Sequence, residues 1–450
     1  MQRKYPQGPR LSLPLVLLSQ MMPKRFPFDP LAFTLGIARE FGDIVHYKLA
    51  SLHVYYVNHP ELAREILVEQ PEKFYKARLV KLAFRPFAGE GLVTSDGALW
   101  KRQRKLMQPA FRHHRLASYG DIMVAHTERL MDSFADGEVR DIGAEMTKLT
   151  LGIVVRSLFG EELPREAGDL SRSLLAVLDA ANHRLSYVLQ LPQWVPTPRN
   201  LREKRAVAEL DGILRFLIRT RRDSGESRDD LLSALLSAVD EANGAGMSDQ
   251  QLRDEMMTLF FAGHDTTANA LTWTWYLLAR HPEVAAKLAE ELQQVLAGRA
   301  PSVNDLPKLP YTEMVIREVI RLYPPAAGVA REPIEDMKIG GYDLPKGSLI
   351  VVSTYAMHRD ERFFPDAERY DPERFAPGWE ERIPRYAYLP FGSGPRVCIG
   401  SGFALMEARL ILATLARRFK LSLETDEEIR PVQLVTVKPS GPVRMRVERR

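Results

Sequence analysis

Apolar side chains recur every three or four positions from about residue 98 to residue 300, the spacing of amphipathic helices packed on a core. Gly/Asp/Ser clusters such as Asp223-Ser224-Gly225-Glu226 punctuate this run. The segment Leu191-Pro192-Gln193-Trp194-Val195-Pro196-Thr197-Pro198 predicts a surface loop between two helices. The strongest element opens at Ser248, where Ser248-Asp249-Gln250-Gln251 has the form of a capping box, and stops before His281-Pro282. At roughly 32 residues and ~48 Å it can cross a whole domain. Its second half is apolar nearly all round, as in a buried central helix, yet Gly263-His264-Asp265-Thr266-Thr267 interrupts it at mid-length.

Shorter elements alternate with a period of two. Ile44–Tyr47 and Val54–Val57 predict a hairpin-like strand pair, and Pro60 opens a helix through Leu67. Strand patterns return at Val329–Arg331, Lys338–Tyr342, Ser348–Ser353, Val432–Val437 and Val443–Val447. The first forty residues, rich in proline, read as an irregular segment packed on the rest. With no repeat and no low-complexity linker, residues 1–450 predict one mainly α domain with a smaller β-rich part.

Composition narrows the functional classes. Basic residues number 62 and acidic ones 58, and the resulting +4 is too small for a nucleic-acid binder. A single cysteine excludes an internal disulfide, a four-cysteine iron–sulfur cluster and a Cys-x-x-Cys-His attachment. No stretch reaches the ~18–20 apolar residues that span a bilayer. The best, Leu11–Met22, is interrupted by Ser12, Pro14, Ser19 and Gln20. Arg3, Lys4 and Arg10 flank it as in a signal peptide, but no small-residue cleavage site follows. The expectation is a cytoplasmic protein without a transmembrane anchor, this segment serving as a docking strand or a peripheral membrane contact.

The chemistry gathers at the lone cysteine. A free cysteine is usually an inert, buried small hydrophobe. Cys398, however, lies in Phe391-Gly392-Ser393-Gly394-Pro395-Arg396-Val397-Cys398-Ile399-Gly400, with glycines at 392, 394, 400 and 402 and a cation two residues upstream. The glycines leave room for a flat, bulky object against the backbone. From Phe403 an amphipathic pattern begins, so the positive end of a helix faces the sulfur and favours its thiolate.

The loop matches Phe-x-x-Gly-x-Arg-x-Cys-x-Gly at every fixed position and resembles the haem-binding loop of the cytochrome P450 family. The resemblance implies that Cys398 is the axial thiolate of a haem b iron, with Phe391, Arg396 and Gly400 at the cofactor. Three further motifs stand in the family's order. Ala262-Gly263-His264-Asp265-Thr266-Thr267 is by itself a helix kink with back-bonding threonines. It resembles the oxygen-activation motif, which implies hydrogen bonding by Thr266 and proton delivery by Asp265. His264 reads as exposed or capping. A subgroup that bonds its haem covalently has glutamate where Ala262 stands, so that link is not available here. Glu318 and Arg321 share a helix face, and the family's cluster adds Arg374, with a structural role. Trp100 and Arg104 are by themselves a core tryptophan and a snorkelling arginine. The resemblance implies that they, Arg396 and Arg331 hold the haem propionates, because buried carboxylates need cationic partners.

Lys101, Arg102, Lys105, Arg112 and Arg115 around Trp100, with Arg409, Arg417 and Arg418 after the cysteine, suggest a positive face for an acidic electron donor. Family topology puts Val93, Phe261, Ala262, Ala326, Ala327, Val329 and Val435 at the haem's open face. These are mostly small and apolar, implying a roomy pocket for a lipid, fatty acid or terpenoid-like molecule. The implied reaction is monooxygenation with O2, the electrons coming from NAD(P)H through a separate ferredoxin or flavodoxin and its reductase. Two alternatives are a peroxide-driven hydroxylase, against which Asp265 and Thr266 argue, and a haem protein that only binds or senses ligands.

Overall fold

In the computed structural model, which describes residues 3–11, 28–111, 113–160, 170–187, 191–240 and 244–450, the pattern around Ser248 becomes one unbroken helix. The helices that carry the site are α1 (Arg78–Ala88), α2 (Gly97–Met107), α3 (Ile142–Phe159), α4 (Asp249–Arg280), α5 (Pro310–Leu322) and α6 (Ser401–Ala416). The Ser248 hydroxyl accepts the Gln251 N–H at 3.2 Å, so the N-cap of α4 forms as expected. The reciprocal half of the capping box does not form, because the Gln251 side-chain oxygen accepts from Arg102 at 3.0 Å instead. Nearly all of the second half of α4 is buried, and the helix continues through Gly263–Thr267 without a break. Hydroxyls satisfy the carbonyls there: Thr266 donates to the Ala262 carbonyl at 2.8 Å, and Thr150 of α3 donates to that of His264 at 3.0 Å.

A five-stranded sheet stands beside the helices, built from β1 (Ile44–Leu49), β2 (Leu52–Val57), β3 (Phe74–Lys76), β4 (Val329–Pro333) and β5 (Leu349–Val352) in the order β1-β2-β5-β4-β3. β2 pairs parallel with β5, Tyr55 opposite Ile350, and the other pairs are antiparallel. Alternate residues (Tyr55, Val57, Ile350, Val352) form a small core with Ile66 and Leu67, separate from the large helical core. Two strand expectations need correction. Lys338–Tyr342 is a hairpin whose turn is Gly340-Gly341, with φ of 56° and 80°, values that glycine adopts without strain. Val432–Val437 is also a hairpin, β6 (Pro431–Gln433) and β7 (Val437–Pro439), because Leu434 donates its N–H to the Thr436 carbonyl. No glycine or proline announces that reversal. The strands Phe74–Lys76 and Val139–Asp141 are too short to show a period, and Phe419–Leu423, which does alternate apolar and polar residues, was not expected.

The N-terminal forty residues are not irregular throughout. Pro30–Phe41 is a helix, started by Asp29, whose carboxylate accepts the Leu31 and Ala32 N–H groups, and by Pro30 in the first turn. Residues 3–10 run along the sheet, where the Gln7 carbonyl accepts the His46 N–H. Most of the apolar stretch Leu11–Met22 lies outside the described residues. Among the described residues no helix is long and apolar enough to cross a membrane.

Where α3 crosses α4, Gly263 has no side chain to meet Val154; a Cβ there would stand 3.0 Å from Val154 Cγ2. Gly263→Ala should therefore cost about 1–3 kcal/mol by overpacking. Adding Val154→Ala should recover part of that loss, and urea unfolding of the four-member cycle measures the coupling. Strict additivity would show that the contact is not tight.

Candidate active site

Cys398 sits where the loop from β-sheet to α6 turns inward. Its N–H donates to the Phe391 carbonyl at 3.0 Å, closing the loop, and its sulfur faces a cavity of about 2080 Å³. The cysteine is open to that cavity yet lies deep in the molecule. Burial pushes its thiol up, while the Gly400 N–H, Arg104 and Lys76 pull it down. The helix end acts in the expected direction through the Gly400 N–H, against the larger effect of burial. A cation bonded to the sulfur would tip the balance. Of the loop glycines, Gly392 (φ 71°) and Gly400 are not crowded: a Cβ there would meet Val329 at 3.7 Å and Phe111 at 4.0 Å, ordinary contact distances. Gly394 serves packing instead: a Cβ there would fall on the Leu67 carbonyl.

Positive charge crowds one end of the cavity. Arg396 donates to Asp96 Oδ1 at 2.5 Å and lies 4.2 Å from the Trp100 ring centroid. Lys81 takes the other Asp96 oxygen at 2.5 Å. Arg331, buried on β4, lines the cavity and donates to the Ala330 carbonyl at 3.0 Å, and burial and Arg396 pull it down to about 10. Lys76 on β3 was not anticipated from the sequence; burial, Arg331 and Arg396 pull it down to about 7. Lys76, Arg331 and Arg396 thus face the cavity with one nearby carboxylate, Asp96, between them. That surplus suits a ligand with two carboxylates, and haem has two propionates. Trp100 and Arg104 do not line the cavity: the indole lies beneath Arg396, and Arg104 donates to the Val397 carbonyl at 2.8 Å.

Across the cavity from this loop, α4 contributes Ala262, Gly263, Thr266 and Thr267. Asp265 points elsewhere. Its carboxylate accepts the Thr436 hydroxyl at 2.6 Å, and Asn269 donates to the same hydroxyl oxygen at 3.1 Å. His264 is buried, not exposed, with Nδ1 donating to the Phe260 carbonyl at 2.9 Å. Val93, Ala326, Ala327, Val329 and Val435 line the cavity, but Phe261 does not. It stacks behind Phe84 at 5.2 Å between ring centroids, and Phe84 faces the cavity. Carboxylates of α4 hold the loop before Val93: Asp254 accepts the Glu90 N–H and Glu255 the Leu92 N–H, each at 2.9 Å.

Glu318 and Arg321 of α5 are fully buried and joined by two hydrogen bonds, at 2.6 and 2.7 Å, with Arg374 Nε 3.3 Å from Glu318. Burial pushes the Glu318 carboxyl up; Arg321, the Asp371 N–H and Arg374 oppose it. Arg321 also donates to the carbonyls of His358 and Ala367. His358, another residue missed in the sequence, accepts the Leu389 N–H at its Nε2 and donates from Nδ1 to the Arg321 carbonyl. Burial and Arg321 pull its pKa down to about 3, so it is neutral and this tautomer holds. The cluster thereby anchors the start of the cysteine loop.

The proposed positive face is thinner than the sequence suggested. Arg409 is paired with Glu313 at 2.7 Å, Arg417 with Glu128, and Arg102 with Asp240 at 3.2 Å. Lys101 and Lys105 remain exposed. Arg112 and the side chain of Arg115 lie outside the described residues.

A protein-family model, Cytochrome P450, matches residues 6–446. Cyclooctatin synthase of Streptomyces melanosporofaciens is 37% identical over 418 residues, covering 92% of this chain and 90% of that protein. Pentalenene oxygenase of Streptomyces avermitilis is 36% identical over 424 residues, 94% and 93% of the two chains. Cyclooctat-9-en-7-ol 5-monooxygenase of Streptomyces melanosporofaciens is 37% identical over 393 residues, 87% and 85%. The chain belongs to the cytochrome P450 family and is a cytochrome P450 monooxygenase. Haem–thiolate iron and the use of O2 come with that membership.

Lys76 generates a pH prediction for the haem-free chain. Its folded value near 7 lies below the ordinary 10.5, so between these values the unfolded chain binds more protons and stability rises with pH. Urea unfolding at pH 7 and 9 should show a gain of about 2 kcal/mol in the haem-free protein, lost in Lys76→Met. The same gain in the variant would clear Lys76 of this role.

Proposed function

We propose that the protein hydroxylates a cyclic, terpenoid-like hydrocarbon at an unactivated C–H bond, with Cys398 as the axial ligand of haem b. The observation that carries this reading is the cavity itself. Cys398 and the cation cluster form one side, α4 with Thr266 the other, and apolar side chains such as Leu79, Phe84, Leu185 and Leu434 line the rest. Such walls recognise a carbon skeleton by shape and give few polar handles. The names of two relatives, pentalenene oxygenase and cyclooctat-9-en-7-ol 5-monooxygenase, support a terpenoid over a linear fatty acid.

Haem, when bound, would supply O2 binding and activation, with electron density from the thiolate. The chain's own residues divide the remaining work. Lys76, Arg331 and Arg396 would hold the propionates and orient the ring. Thr266, whose hydroxyl now donates to the Ala262 carbonyl at 2.8 Å, turns toward the oxygen side and hydrogen-bonds there. Asp265 delivers protons by releasing Thr436. The small side chains of Ala262, Ala326 and Ala327 leave space for the substrate over the ring. Thr354 and Tyr355 fix the last two, donating a hydroxyl at 2.7 Å and an N–H at 2.9 Å to their carbonyls. The single cysteine leaves this sequence no four-cysteine iron–sulfur cluster, and in this reading NAD(P)H electrons arrive through a separate ferredoxin or flavodoxin and its reductase. Lys101 offers exposed positive charge for an acidic donor.

Titrating the haem-loaded protein with pentalenene and related cyclic terpenes should give spin-state shifts that linear fatty acids do not match; the reverse ranking would contradict the substrate class. In a ferredoxin-supported reaction, Thr266→Ala should raise the peroxide released per NADPH roughly tenfold or more, in line with the loss of a positioned proton-transfer group. Tight coupling in that variant, or full turnover from peroxide alone, would count against the oxygen-activation role.

A further inference from the structure

Two polar residues of the cavity wall lack partners for their side-chain oxygens. Ser157 of α3 lines the cavity beside Val154 and Leu158, and Asn182 of the helix Leu170–Ser186 lines it beside Leu185. Ser157 is 1% exposed and Asn182 is half-buried. Among the described residues, neither the Ser157 hydroxyl nor the Asn182 amide oxygen meets a hydrogen-bond partner. Neighbouring hydroxyls behave differently. On α3 itself, Thr147 and Thr150 turn back to the carbonyls of Gly143 and Met146, each at 2.9 Å. Elsewhere on the wall, Thr34 and Thr354 donate to the carbonyls of Pro30 at 2.8 Å and Ala326 at 2.7 Å. Ser157 makes no such bond to the carbonyl one turn before it.

Packing does not call for these groups. Alanine and leucine would fill the two places without stranding a polar atom, and buried polar groups ordinarily find partners. Charge narrows what the partner is. Arg184 and Arg221, buried near these helices, are both committed. Arg184 pairs with Glu203 and donates to the Ala83 carbonyl at 3.3 Å. Arg221 pairs with Asp230 at 2.6 Å and donates to the Phe159 carbonyl at 2.8 Å. A carboxylate here would lack a countercharge, so the matching group is a neutral oxygen. A hydroxyl can donate to the Asn182 oxygen and accept from Ser157, whereas a ketone can only accept.

We propose that Ser157 and Asn182 form a hydroxyl-binding subsite, and that the substrate is a cyclic terpenoid already bearing an alcohol when it enters. The inference rests on the terpenoid reading of the cavity: it keeps that carbon skeleton and adds one neutral oxygen to it. Apolar walls hold the skeleton by shape, and the alcohol fixes its orientation, so that one C–H group is presented for reaction. The reaction that supplies this substrate therefore leaves a hydroxyl on the ring system.

The test titrates the haem-loaded full chain with matched cyclic terpenes and reads the spin-state shift: bornane against borneol, and cedrane against cedrol. The alcohol of a pair that fits should bind about tenfold more tightly than its hydrocarbon, as a newly paired buried hydrogen bond allows. Ser157→Ala and Asn182→Leu should each remove most of that preference while leaving the hydrocarbon's affinity unchanged. Without ligand, neither substitution should lower the thermal midpoint, because no bond within the protein is lost; a clear fall in both would assign the two groups to the fold and overturn the subsite. Should Asn182→Leu fail to take up haem, Asn182→Ala replaces it. Equal affinities for hydrocarbon and alcohol in the unmodified protein overturn the subsite alone. A preference that survives both substitutions places the oxygen elsewhere and overturns the assignment. No shift from any of these terpenes overturns the terpenoid reading, and this inference with it.

Discussion

Charge removed from water must find a partner, and around this cavity that requirement decides most of the architecture. At one end of the scale the protein satisfies itself. Glu318 and Arg321 are completely buried, meet in a bidentate pair, and spend their remaining hydrogen bonds on carbonyls of the segment leading to the cysteine loop. Breaking such a cluster from one side would strand a buried charge, at a cost of about 3–5 kcal/mol. At the other end the protein leaves charge outstanding. Lys76, Arg331 and Arg396 share Asp96, and Cys398 faces the same space as a thiol raised by burial. Two carboxylates and one metal cation would answer both imbalances together, which is why haem fits the donor set as chemistry and not only by family.

The central helix is the second constraint. It runs between the cysteine loop and α3 with little room to spare, so small and hydroxyl side chains recur where backbones approach. Gly263 yields to Val154, and Thr150 supplies a hydrogen bond to the His264 carbonyl across the gap. The segment that the sequence presents as an interruption is therefore a continuous helix with adapted side chains. Its two threonines differ in how firmly they are tied back, Thr266 at 2.8 Å and Thr267 at 3.4 Å.

Legibility followed the range of the interactions concerned. The cysteine loop, the threonine motif and the bounds of the long helix depend on local spacing, and all were readable from the chain. The helix Pro30–Phe41 was local too, but the surrounding prolines obscured its Asp29 cap. Lys76 and His358 were not readable, since nothing near them in sequence shows that β3 and the Ser353–His358 turn converge on the cavity and its loop. The same blindness made Arg409 and Arg417 look like free surface charge, when Glu313 and Glu128 neutralise them from distant helices. Phe261 failed for a subtler reason: it is adjacent to Ala262, yet a helix turns successive side chains by about 100°, enough to send one behind Phe84.

The proposed bond between Cys398 sulfur and iron is what the loop, the helix end and the cation cluster would all serve. Reduced, carbon-monoxide-treated protein reads it directly in the visible spectrum. The account predicts the strongly red-shifted band of a thiolate-ligated haem, absent in Cys398→Ala. A nitrogen-type band in the unmodified protein, or an identical band in the variant, would contradict it.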